Sequence, residues 1–133
     1  MLCRFRVAAG RLGFAVLIIL TGLFASSCLA PFFNQPPKPV IGITEGSPYG
    51  PAPLTVTFDI SGSSDADGEI VSFTFDFGDG TDPISQGTDL SLPIEHTYEN
   101  AGHYLASLIV VDNNGEERRM QTPIIVSEPA QAR

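Results

Sequence analysis

From residue 40 onward, apolar and polar side chains alternate in short runs, and each run stops at Gly, Pro, Asn or Asp. Leu54, Val56, Phe58 and Ile60 take every second position of one run. Val71, Phe73, Phe75 and Phe77 do the same in residues 70–77, with Ser72, Thr74 and Asp76 between them. Tyr104, Ala106, Leu108 and Val110 repeat the pattern in residues 103–111. A period of two is the signature of a strand with one face on a core. Residues 40–44 and 118–127 add a short first strand and a closing one. Pro123 marks the closing strand as an edge, because proline has no N–H to give a ladder. Residues 81–92 form an irregular connection with room for a short edge strand. Residues 61–68, Gly78-Asp79-Gly80 and Asp112-Asn113-Asn114-Gly115 carry turn chemistry, the last an Asn-Gly hairpin signal. No helical period breaks the series and no internal repeat is visible. The fold class is all-β, and short strands at this spacing predict a β-sandwich.

The first forty residues follow other rules. Arg4, Arg6 and Arg11 stand before an uncharged apolar run over residues 12–25. A bilayer-spanning helix needs about 20 apolar residues. A shorter run behind a positive start fits an export signal. Residues 29–39 hold Pro31, Pro36, Pro37 and Pro39. That density excludes a helix or central strand and predicts an extended, semi-rigid spacer. The chain thus divides into a signal peptide at 1–27, a Pro-rich linker at 28–39, a domain at 40–127 and a short tail at 128–133.

Charge narrows the partners. The chain has seven Lys plus Arg against fifteen Asp plus Glu, and three of the seven precede the first acid, Glu45. The domain is therefore strongly acidic and repels polyanions, so nucleic acid is not expected as a partner and bare anionic lipid is a poor one. Two cysteines, Cys3 and Cys28, make no disulfide framework.

Two resemblances follow from particular residues. Ala25-Ser26-Ser27-Cys28, behind the apolar run, resembles a bacterial lipoprotein signal, although that family prefers Leu where Ala25 stands. The resemblance implies cleavage before Cys28 and acylation of its thiol, palmitate included, with the chain held at the cell envelope. Leu29, in place of the Asp that usually retains such proteins at the inner membrane, points to the outer membrane if the cell has two. Cleavage after Ala30, an uncut anchor reaching Phe33, and a plain thiol at Cys28 are the alternatives.

The second resemblance is ordered along residues 40–127. Pro53-Leu54-Thr55-Val56-Thr57-Phe58-Asp59, Ser61-Gly62-Ser63-Ser64-Asp65-Ala66-Asp67-Gly68 and Phe75-Asp76-Phe77-Gly78-Asp79-Gly80 resemble a PKD domain. So do His96-Thr97-Tyr98, Gly102-His103-Tyr104 and Val111-Asp112-Asn113-Asn114-Gly115. The family usually has Trp at the position of Phe75. The resemblance implies an immunoglobulin-like sandwich of about seven strands. It also implies extracellular or envelope use, commonly in adhesion or beside carbohydrate, without catalysis.

The candidate chemistry is sparse. Asp76 and Asp79, framed by Gly78 and Gly80, invite an acid–base reading, but Asp79 is expected to accept nearby backbone N–H groups in a turn. His96 and His103 lack the further soft ligand that zinc needs, and no nucleophile elbow accompanies them. His96 and Tyr98 are expected to fix their loop by hydrogen bonds, in the manner of a tyrosine corner. Asp65 and Asp67 resemble the front of a calcium loop. A sandwich brings that loop to the end where Asp112 and Asn113 turn, and hard cations take several oxygens. Some PKD domains bind calcium. No cofactor is otherwise required.

Leu105, Ile109 and Val111 point away from the core in residues 103–111, and outward aliphatics suggest a covered or binding surface. The first strand must begin where the second ends, so a tether leaves from the Asp65/Asp112 end. The Asp79 turn, the 83–90 connection and the Tyr98 loop then point away from the membrane. These features lead to a lipid-anchored, non-catalytic module whose partner is an envelope protein or polysaccharide. An exported accessory module acting on carbohydrate beside a separate hydrolase, and a purely structural spacer, are the alternatives.

Overall fold

The computed structural model describes residues 33–131. Two sheets pack face to face. The first has three strands in the order β1-β3-β6: β1 (Gly42–Glu45), β3 (Leu54–Asp59) and β6 (Ile94–Tyr98). The second has five, in the order β2-β8-β7-β4-β5: β2 (Tyr49–Pro51), β8 (Glu117–Ser127), β7 (Gly102–Asp112), β4 (Ile70–Asp76) and β5 (Ile84–Gln86). All pairings are antiparallel except β2 on β8. The all-β, immunoglobulin-like sandwich expected from the sequence is the fold observed, with eight strands.

The alternating positions build the core. Val56, Phe58 and Ile60 face Phe73, Phe75, Phe77, Ala106, Leu108, Val110, Ile124 and Val126, all buried. Phe75 sits at the centre, its ring centroid 4.9 Å from that of Phe58 and 5.4 Å from that of Phe77. A smaller ring thus fills the slot where tryptophan is usual, by tilted contact with two neighbours.

Four local expectations are corrected. Val71 is exposed, because a register shift between Ile70 and Ser72 turns it out of the alternation. Ile70 packs on the core in its place. Pro123 lies in a part of β8 that β2 does not reach, but β2 covers Ile125, Val126 and Ser127, so β8 is an edge along only part of its length. The last hairpin is a three-residue loop. Gly115 N–H donates to Asp112 O at 3.1 Å and Asp112 N–H to Glu116 O at 2.9 Å, with Gly115 at φ 86°. That is a type I turn closed by a glycine bulge, not the two-residue Asn-Gly turn. Finally, residues 34–39 of the expected spacer belong to the domain. Lys38 bridges Ser64 through two backbone hydrogen bonds of 2.7 and 3.1 Å, and Pro37 is buried.

The sandwich has two ends. At one, the chain enters through Asn34, β3 and β7 finish, and β4 begins. At the other lie the Gly78-Asp79-Gly80 turn, the β6–β7 turn, the start of β3 and the finish of β8. Cys28, the expected signal peptide and residues 28–32 of the expected linker lie outside the described residues.

Candidate functional site

The entry end gathers the acids that the sequence singles out. Asp112 ends β7 and is fully buried. Its Oδ1 accepts the N–H groups of Asn114 and Glu116, each at 2.8 Å, and its Oδ2 accepts Asn34 Nδ2 at 2.7 Å. The Asn34 amide holds the Asp112 carboxyl below the usual carboxylate range. Burial works against it, and backbone N–H groups of the turn add to the lowering. Asn114 Nδ2 in turn donates to Asn34 Oδ1. Asp67 accepts the Gln35 N–H at 3.0 Å, and Asn113 Oδ1 accepts the Glu69 N–H at 3.0 Å. Asp65 Oδ1 accepts the Asp67 N–H at 3.3 Å, while its Oδ2 is buried without a hydrogen-bond partner. A Cβ on Gly68 would collide with Asn113 Oδ1 and stand 2.9 Å from Asp65 Oδ2. Two oxygens thus converge over a space that only glycine leaves open.

The donors here are carboxylate and amide oxygens, and one is unsatisfied. In kind they fit a hard cation such as calcium. Among the described residues, no three His, Cys, Asp or Glu side chains group closely enough to hold a metal by themselves. Amide or backbone oxygens would therefore have to complete any such shell. Asn34 carries no sequence signal for its bond to Asp112, because it stands among the prolines of the expected linker.

At the far end, Asp79 and His96 meet. His96 Nε2 lies 2.7 Å from Asp79 Oδ2, and an ionised carboxylate can only accept, so the ring nitrogen donates. Asp79 Oδ1 accepts the Thr81 hydroxyl at 2.6 Å and the Thr81 N–H at 3.1 Å. Burial raises the Asp79 carboxyl, but the Thr81 and His96 hydrogen bonds outweigh it and leave it below its ordinary value. The His96 ring stacks on Phe77 at 3.8 Å and meets Tyr98 edge-on at 4.8 Å. Tyr98 is buried, and its hydroxyl donates to Phe77 O at 3.1 Å. Burial, then the nearby Asp79 and Asp76 charges, push its phenol well above its usual range.

Asp79 is the only hydrogen-bond partner of the His96 ring among the described residues, so no hydroxyl or thiol completes a triad. The pair locks β6 to the turn after β4. Asp76 Oδ1 serves the same turn by accepting the Gly78 N–H at 2.8 Å. The tyrosine-corner role falls to Tyr104, whose hydroxyl donates to Asn100 O at 2.8 Å, four residues upstream. Beside this turn an open groove of about 530 Å³ runs past Pro53, Glu99, Asn100 and Glu128.

The third feature is the outer face of the five-stranded sheet. Leu105 is 47% exposed, whereas Ile109 and Val111 are half-buried. Register explains the split. Ile109 lies between Thr74 and Arg119, and Val111 between Ser72 and Glu117, whose side chains flank them. Leu105 faces Pro123 on one side and Gly78 on the other, and glycine offers no cover. The aliphatic face expected from the sequence is therefore open only at Leu105.

Comparison with known proteins agrees with this geometry. Collagenase ColQ1 of Bacillus cereus (strain Q1) is 38% identical over 73 residues, which are 55% of this chain and 7% of that protein. The chain thus spans less than a tenth of that relative's length. The PKD1 domain of Vibrio anguillarum Epp superposes with a TM-score of 0.56 at 31% identity, covering 73% of this chain and 100% of that domain. A structure of carbohydrate-binding modules from the β-sandwich superfamily superposes with a TM-score of 0.60 at 32% identity, covering 72% of this chain and 36% of that one. The sequence model of the PKD domain matches residues 34–126, the stretch that starts at the Asn34 clasp and ends in β8, and the chain belongs to that family.

Proposed function

We propose that this chain is a non-catalytic interaction module, held at a bacterial cell envelope by acyl chains on Cys28 and meeting an envelope protein or polysaccharide with the surfaces away from its entry end. One observation carries this reading. The chain enters at Asn34, bound to Asp112, so a tether at Cys28 leads into the Asp65/Asp112 end. The Asp79 turn, β5 and the open groove then face outward. The family's generally non-catalytic character and the incomplete His96–Asp79 arrangement support the absence of turnover. Leu29 after the cysteine favours the outer membrane where there are two. Two or more acyl chains are needed for stable retention, since one binds only marginally.

Calcium at the entry end belongs to the same reading. Asp65 Oδ2 would anchor it, with Asp67, Asp112 and Asn113 as the further donors, and it would tie the loop after β3 to the last hairpin.

Intact mass of the mature protein from native membranes tests the anchor. The expected mass is that of a chain beginning at Cys28 plus acyl groups. A chain beginning at Pro31, or an unprocessed one, contradicts it. Crosslinking in the same membranes, followed by capture, tests the module. A specific crosslinked partner is expected, and its absence from both protein and polysaccharide fractions contradicts the reading.

A further inference from the structure

We infer that the outward patch of Tyr49, Ile125, His103, Leu105 and Pro123 is a stacking platform for an uncharged polysaccharide. This rests on the interaction-module reading and names the partner class and the residues.

Tyr49, Ile125 and His103 share one register row across β2, β8 and β7. Leu105 and Pro123 occupy the adjacent row on the same face. Tyr49 is 70% exposed, and Leu105 and Ile125 nearly half. The flanking rows carry Ser107 with Gln121 and Pro51 with Ser127. No Asp, Glu, Lys or Arg stands in these four rows of β2, β7 and β8. The bordering carboxylate is Asp76, opposite Ser107, and its Oδ1 already accepts the Gly78 N–H. On a chain with fifteen acids this is a charge-free window.

Its size and charge select the occupant. Three strands about 4.8 Å apart and two rows give an apolar platform on the order of 10 Å by 10 Å. That is a small fraction of the roughly 800 Å² per partner in a stable protein interface. A second copy would bring another acidic domain against this one. Anionic lipid headgroups meet the same repulsion. A neutral sugar ring has an apolar C–H face and a hydroxyl rim. The exposed Tyr49 ring, with its negative π-face, takes the C–H side. Gln121 and His103, both exposed, offer donors and acceptors to the rim.

The test is depletion of the soluble domain-bearing chain by three insoluble neutral polysaccharides: cellulose, chitin and a β-1,3-glucan. The wild type should be retained by at least one. Tyr49→Ala should weaken that retention about tenfold, the scale of one lost aromatic contact. Tyr49→Phe should retain it, and both variants should melt with the wild type, since the side chain is exposed. Retention by none of the three, or equal retention of wild type and Tyr49→Ala, overturns the assignment. If Tyr49→Ala instead removes a crosslinked protein in native membranes, the glycan assignment falls while the module reading stands. If the wild type shows neither crosslinked partner nor retention, both fall.

Discussion

Asn34 Nδ2 donates to Asp112 Oδ2 across 2.7 Å, joining two residues 78 apart in sequence. The bond pins the entering chain to the last hairpin and satisfies a buried carboxylate. Asn34→Ala should leave the sandwich folded but loosen the entry. Amide exchange should quicken at Gln35, bound to Asp67, and at Lys38, bound to Ser64. Leu108 in the core should keep its protection. Unchanged exchange at Gln35 and Lys38 would show that the clasp does not depend on Asn34.

Of the four carboxyls with lowered pKa among the described residues, Asp79 and Asp112 bear most directly on acid stability, because their side chains are the ones shielded at the two ends of the sandwich. A carboxyl that ionises more readily when folded contributes stability above its unfolded pKa of about 3.9. That contribution is lost as pH falls through the lower folded value. The melting temperature should hold from neutrality to about pH 4 on this account and drop below it. Asp79→Asn and Asp112→Asn should each melt lower at neutral pH and fall less steeply in acid. Parallel slopes for wild type and both variants would contradict the assignment.

Phe75 is fully buried between Phe58 and Phe77. Phe75→Ala removes a ring from a site that can collapse only in part, at a cost of about 3–5 kcal/mol. Phe75→Leu keeps more volume and should cost less. Denaturant unfolding of the two variants gives the comparison. Equal stability of Phe75→Ala and wild type would place the centre of the core elsewhere.

How much of this was legible in the sequence depends on the residue. The alternations through Phe58, Phe75 and Leu108 specify the two core faces directly, because burial has the period of the strand. Val71 breaks its alternation because a bulge against β7 adds a residue, and local sequence carries no mark of it. β6 does alternate inward at Ile94, His96 and Tyr98. Its inward histidine looks polar until Asp79, 17 residues upstream, is seen to pair with it. β2 has three residues, two of them Gly and Pro, and exists only because β8 offers it an edge. Asn34 stands among prolines, and its partner lies 78 residues downstream. Short periods reveal the core, while long-range polar pairs and edge strands need the fold.

Gly78 separates two kinds of glycine requirement. At φ 77° its missing Cβ would stand 2.5 Å from Leu105 O, whereas a Cβ on Gly80, at φ 87°, meets nothing within 4 Å. Gly80→Ala pays only backbone strain, about 1 kcal/mol. Gly78→Ala adds a collision with backbone that cannot swing aside, so it should destabilise by more. It should also disturb the Leu105 amide signal, which Gly80→Ala should not. Equal losses of stability for the two would mean that the β7 backbone yields.

Calcium gives the last prediction, through Asp65 Oδ2, the buried oxygen without a partner. A cation bound only by the folded state adds stability by mass action, about 2.7 kcal/mol at a hundredfold excess over its dissociation constant. Millimolar calcium should therefore raise the melting temperature of the wild type, and magnesium should raise it less, because its smaller shell demands stricter octahedral geometry. Asp65→Asn removes the unpaired charge while nearly preserving shape, so it should abolish the shift with little change in the calcium-free midpoint. Asn34→Ala separates the ion's roles. If calcium ties the entry to the loops through the Asn34 oxygen, this variant loses both the shift and the protection of Gln35. A wild type whose melting is indifferent to calcium would leave Asp65 Oδ2 as an unsatisfied acceptor and remove the ion from the account.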